Sequence, residues 1–124
     1  MAVALGGALG SMARHGVNQI VHGRWLVTRF PFGTMVVNLL GCFVIGVLAG
    51  LIASERIAMR ANWREFVFVG VLGGFTTFST FGLDTFVLAR GSGAGPAAIN
   101  VAAHVIGGLA AVWVGYLLGA TRSP

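Results

Sequence analysis

The residues best able to do chemistry in this chain lie in one run, Gly73-Gly74-Phe75-Thr76-Thr77-Phe78-Ser79-Thr80-Phe81. Two adjacent glycines cost a helix about 2 kcal/mol relative to alanine. The hydroxyl residues that follow offer the backbone competing hydrogen bonds. A local break would free backbone carbonyls, and carbonyls of an unwound segment can hold a cation such as Na⁺. An intact helix whose hydroxyls bond back to their own turn fits the composition as well. If the helix resumes, Phe75, Phe78 and Phe81 share one stripe at i, i+3, i+6, and Thr77, Thr80 and Asp84 share the next at i, i+3, i+7. Ring edges are electropositive and hydroxyls donate hydrogen bonds, so such a pair of tracks suits an anion. Phenylalanines packed in a core or against lipid would look the same. Asn38 can donate two hydrogen bonds, to a neighbouring helix or to an anion. Asn100 and His104 share a face at i, i+4 but lack the acidic or cysteine companions of a metal site, and read as packing or pore-lining residues. Arg14 can cap a helix, snorkel to an interface or draw anions to a pore mouth. Paired carboxylates, a Ser–His–Asp set and a phosphate loop are all missing from the sequence, which argues against an enzyme.

The elements that must position these residues follow from composition. The chain has 124 residues, 56% hydrophobic and 9% charged, against about 25% charged in a soluble domain. Its mean hydropathy is +0.89. The bilayer is its natural solvent, and at about 20 residues per crossing the length suits four helices. The apolar runs place these spans at about 2–21, 32–53, 66–89 and 96–119, in a single transmembrane domain covering 1–124. Trp25, Trp63, Trp113 and Tyr116 fall near the proposed ends, as amphipathic rings do. Residues 1–9 are apolar without a basic start, so the first segment is expected to stay in the membrane rather than be cleaved. Cys42 is the single cysteine, which excludes a disulfide within one chain. Glycines recur at i, i+4 in every span: Gly6 and Gly10, Gly46 and Gly50, Gly70 and Gly74, Gly115 and Gly119. Such pairs let helices approach closely in lipid.

The net charge is +5, and all 8 basic residues are arginine. They form no stripe interleaved with aromatics, so nucleic acid is not an expected partner. With four spans, Arg56, Arg60, Arg64 and Arg122 lie on one side of the membrane, and Arg14, Arg24, Arg29 and Arg90 lie on the other. An even split gives no preferred orientation under the positive-inside rule. A chain that inserts both ways can pair with itself as an antiparallel homodimer.

Three stretches together resemble the CrcB/Fluc family of fluoride ion channels: Gly6-Gly7-Ala8-Leu9-Gly10 through Arg14, Gly33-Thr34-Met35-Val36-Val37-Asn38-Leu39-Leu40-Gly41, and the 73–81 run, the most specific of the three. The likeness extends along essentially the whole chain. It implies an all-α membrane protein of four transmembrane helices, the third broken mid-membrane, assembled as a dual-topology homodimer. That dimer would export F⁻ passively through two pores, most commonly in a bacterial inner membrane. The resemblance also implies a central structural Na⁺ held by the carbonyls of Gly73 and Thr76 of both subunits. Phe78 and Phe81 match the ring pair along the fluoride path, Asn38 the asparagine facing the pore, Ser79, Thr80 and Asp84 the neighbouring polar positions, and Arg14 the vestibule arginine. Asn100 and His104 carry over only weakly. Fluoride is small and strongly hydrated, so its pore must replace water with donors and without a trapping counter-charge. A small proton-coupled multidrug-type exporter is the alternative, but that mechanism wants a carboxylate in the first span, which has none. An accessory subunit without transport activity is a third reading.

Overall fold

A computed structural model describes residues 1–24 and 30–121, the side chains of 22–24 excepted. Trp25, Arg29 and Arg122, the side chain of Arg24 and most of the first connection therefore lie outside the described residues. Among the described residues every regular element is helical: α1 (Ala2–Arg24), α2 (Phe32–Ala53), the short α3 (Ala61–Arg64) running into a π-helix (Glu65–Leu72), then α4 (Gly73–Phe75), α5 (Phe78–Gly91) and α6 (Ala94–Ala120).

Three helical stretches among the described residues are long and apolar enough to cross a membrane: Phe32–Ala53, Ala61–Gly91 and Ala94–Ala120. Helix α1 is not among them. Its second half carries Arg14, His15, Asn18 and Gln19, which dilute an otherwise apolar run. The stretch Ala61–Gly91 starts earlier than its apolar run suggests, because Ala61-Asn62-Trp63-Arg64 already turns as helix.

All four glycine pairs work at helix contacts. Helix α1 runs parallel to the π-helix and α4. A Cβ added at Gly6 would overlap the Phe66 carbonyl oxygen, and one at Gly10 the Val71 carbonyl oxygen. From the other side, a Cβ at Gly70 would come within 2.9 Å of the Gly6 Cα, and one at Gly74 within 2.6 Å of the Gly7 carbonyl oxygen. Helix α2 runs parallel to α6 in the same manner, with Gly46 against Val112, Gly50 against Tyr116, Gly115 against Phe43 and Gly119 against Val47. Backbone touches backbone in both pairs, which is how helices gain dispersion energy where lipid removes the hydrophobic drive. At their C-terminal ends α2 and α6 are tied by the Ser54 hydroxyl donating to the Gly119 carbonyl (3.3 Å) and by Arg56 donating to the Thr121 carbonyl (3.1 Å). Between α5 and α6 the chain turns at Gly93, whose φ of 95° favours glycine. The end of α4 and the start of α5 meet the first half of α2, at Asn38 and Gly41.

Gly46→Val should lower the unfolding midpoint in detergent by the equivalent of about 1–3 kcal/mol, the usual penalty for forcing bulk into a packed contact. Gly16→Ala, where nothing lies within 4 Å of the added Cβ, should leave it unchanged. Equal midpoints for both variants would show that the α2–α6 contact is not tight.

Candidate functional site

The helical path is interrupted at Thr76 and Thr77, which are both extended (φ −82°, ψ 158° and φ −150°, ψ 118°). Gly73 and Gly74 themselves remain helical. The interruption therefore sits at the threonines, beyond the glycines whose low helix propensity suggested it. What holds it open is Asn38 on α2. The Thr77 N–H donates to Asn38 Oδ1 (2.9 Å), and Asn38 Nδ2 donates back to the Thr77 carbonyl (3.0 Å). One side-chain amide thus satisfies both polar groups of one backbone residue, as a neighbouring strand would. This pairing also fixes which end of the amide is oxygen.

Two further bonds complete the turn. The Thr76 hydroxyl and N–H both go back to the Leu72 carbonyl (3.0 Å each). The Thr77 hydroxyl caps α5 by accepting from the Thr80 N–H (3.3 Å). In an unbroken helix, Thr77 N–H would serve the Gly73 carbonyl and Thr80 N–H the Thr76 carbonyl. Both donors are diverted, so those two carbonyls lose their intrahelical amides.

Beside the interruption lies an open groove of about 390 Å³. Asn38, Gly73, Thr76, Thr77, Phe78 and Phe81 all line it, and so do Cys42 and His104. No Asp, Glu, Lys or Arg is among the lining residues. Phe78 and Phe81 are a ring pair at 5.3 Å and 57°. They differ in setting, with Phe78 83% exposed and Phe81 9%. Phe75 belongs to the segment before the interruption and packs near Gly41, so the three-ring stripe of a continuous helix does not form. Ser79 and Thr80 do not line the groove. Their hydroxyls join that of Thr77 at 3.2 and 3.0 Å, which makes a small hydroxyl cluster at the start of α5. Asp84, one turn beyond Thr80 on α5, reaches α2, where the buried Thr34 hydroxyl donates to its Oδ2 at 2.7 Å. Arg14, half-buried on α1, does not reach the groove lining. No group of three or more His, Cys, Asp or Glu able to hold a metal occurs among the described residues.

A sequence model described as "CrcB-like protein, Camphor Resistance (CrcB)" matches residues 1–116. The chain belongs to the CrcB family. Among its curated relatives is the "Fluoride-specific ion channel FluC" of Methylobacillus flagellatus, 47% identical over 95% of this chain and 91% of the relative. A protein of the same name from Opitutus terrae is 47% identical over 93% of this chain and 87% of its own length. Another, from Nitrobacter winogradskyi, is 49% identical over 86% and 83%.

Thr34 and Thr85 brace the groove from outside its lining, and residue types alone did not single them out. Thr85 donates to the Phe81 carbonyl (2.8 Å) and accepts from Asn100 Nδ2 (2.9 Å). Asn100 is fully buried, and its carbonyl faces His104 Nδ1 at 3.0 Å. Thr34 could have been found by its spacing, one helical turn before Asn38 in an apolar segment. Thr85 had no such signal, because its partner comes from another helix.

Asn38→Ala should expose the Thr77 amide to hydrogen exchange by roughly tenfold or more, since a lost buried hydrogen bond is worth about 1–3 kcal/mol. An unchanged Thr77 exchange rate would mean that the interruption holds without Asn38.

Proposed function

We propose that this chain is a fluoride-selective channel that lets F⁻ leave the cytoplasm passively across the cell (inner) membrane, as an antiparallel homodimer with two pores. The observation that carries this reading is membership of a family whose relatives, at 47% identity over 95% of this chain, are named fluoride-specific ion channels. The local chemistry supports it. The groove offers an anion a neutral lining of amide and ring edges, with the hydroxyl cluster alongside. Such a lining can replace fluoride's hydration shell without a fixed counter-charge that would trap the ion. In this reading F⁻ passes the edges of Phe78 and Phe81, the amide of Asn38 and the hydroxyls of Ser79 and Thr80, with Arg14 drawing anions toward the mouth.

Four crossings are favoured by the way α1 lies parallel and in backbone contact along a stretch that is itself long enough to span. A close partner satisfies the apolar face of α1 despite its polar second half. The even division of arginines across those four crossings supports insertion in both orientations, hence an antiparallel pair.

The carbonyls of Gly73 and Thr76 fit a structural Na⁺. They are neutral oxygens whose amide donors have been diverted, which is the donor type a hard monovalent cation takes from unwound backbone. A Na⁺ there would bring a positive charge that balances carbonyl dipoles from two subunits.

A fluoride electrode should register electrogenic F⁻ efflux from liposomes holding the purified protein, selective over Cl⁻ and needing no proton gradient. Retained F⁻ with exchange of a cationic compound for protons would replace this reading with a proton-coupled exporter. Phe78→Ile or Phe81→Ile should slow efflux roughly tenfold, equivalent to about 1.4 kcal/mol of lost stabilisation of the permeating ion, with the dimer intact on gel filtration. Full efflux in both variants would remove the rings from the path. Exchanging Na⁺ for N-methylglucammonium should shift the protein from dimer toward monomer; an unaffected dimer would remove Na⁺ from the account.

A further inference from the structure

His104 combines three features. First, its Nδ1 lies 3.0 Å from the Asn100 carbonyl oxygen. A carbonyl only accepts, so Nδ1 carries a proton, and in the neutral ring Nε2 is a bare lone pair. Second, Nε2 is buried without a hydrogen-bond partner among the described residues, on a ring that lines the groove. Third, the ring rests on Phe81, with centroids 4.4 Å apart and planes at 38°.

A bare acceptor repels an anion and is itself left unsatisfied. Protonation reverses both effects. Nε2 becomes a donor, the ring gains a positive charge, and that charge lies against the π-face of Phe81, where cations are attracted. The scaffold for this form is already built. Thr85 ties to Phe81, Asn100 ties to Thr85, and the Asn100 carbonyl holds Nδ1–H. Other titratable groups on the packed elements are few. Helix α2 brings Cys42 to the same groove, α5 brings Asp84, already engaged by Thr34, and, farther along, Arg90, and α6 itself carries Tyr116 three turns on.

We propose that His104 is a proton-controlled anion-binding residue of this groove: its protonated Nε2–H donates to a halide, which is fluoride on the function proposed above, so that mild acid favours anion entry. The neutral ring opposes the anion at the same place. Proton and anion therefore assist each other's binding, reciprocally.

Nitrogen-15 NMR of the histidine-labelled full chain in micelles tests the coupling directly. At about pH 6.5, replacing sodium gluconate by NaF should raise the doubly protonated population of His104 and leave His15 unmoved. Equal His104 populations in the two salts would overturn the proposal. Fluoride current across a planar bilayer gives an independent arm, chosen because neutral HF crosses lipid without carrying current. At low F⁻ the wild type should conduct several-fold more at about pH 5.5 than at about pH 7.5. His104→Gln should reduce that ratio to about one, and His15→Gln, on exposed α1, should keep it. A flat wild-type profile, or one lost in His15→Gln instead, would overturn the assignment. Absence of current in the wild type at every pH would overturn the channel reading, and the NMR arm would still decide whether His104 binds fluoride.

Discussion

The two hydrogen bonds between the Asn38 amide and the backbone of Thr77 are the constraint on which the site depends. Extended backbone inside a helical bundle leaves an N–H and a C=O without intrahelical partners. In an apolar setting each unpaired group is expensive, so such a segment persists only where something else supplies both bonds. Asn is the shortest side chain that can donate and accept at once with the fixed geometry of a peptide. Because Asn38 claims the Thr77 N–H, the Gly73 carbonyl is set free. Because Thr77 then caps α5, the Thr76 carbonyl follows. The direction in which Phe78 and Phe81 leave the start of α5 is set by the same bend.

That clamp works only if α2 is held against the interrupted stretch, and the glycine contacts do this. Parallel pairing of α1 with the π-helix and α4, and of α2 with α6, brings backbones too close for any side chain between them. Such contacts are short-ranged and close-packed, so the relative height of the helices is fixed to a fraction of a turn. The Thr34–Asp84 bond and the chain from Phe81 through Thr85 and Asn100 to His104 then lock α5 to α2 and α6 at two more points. The lone acid of the 73–91 region is thereby engaged by a hydroxyl outside the groove lining, and the lining is left without a formal charge.

Much of this was legible in the sequence. The low charge and apolar runs dictated an all-helical membrane protein, the glycine spacing foretold close helix contacts, and the 73–81 run together with Asn38 marked the region where the groove lies. Other features were not legible for definable reasons. Gly73 and Gly74 have the weakest helix propensity, yet they stay helical, because α1 packs on Gly74 and the competing bonds act only at Thr77. The stripe through Phe75, Phe78 and Phe81 assumes a continuous helix and fails once the backbone is extended between the first ring and the second. Helix α1 reads as a span from its apolar start, but its polar second half leaves it outside the three stretches among the described residues that are long and apolar enough to cross a membrane.

The sequence by itself determined the solvent, the helical class and the inventory of neutral donors and rings, because those properties are sums over residues and local periodicities. Which donor meets which acceptor was decided only by the tertiary structure. Nothing in one dimension says that the Asn38 amide faces Thr77, that Asp84 turns toward Thr34, or that His104 rests on Phe81 with one ring nitrogen held and the other buried without a partner among the described residues. Each of these pairings joins residues on different helices, and hydrogen bonds are specific to fractions of an ångström. Propensity and pattern carry no information on that scale, whereas close-packed glycine contacts set it.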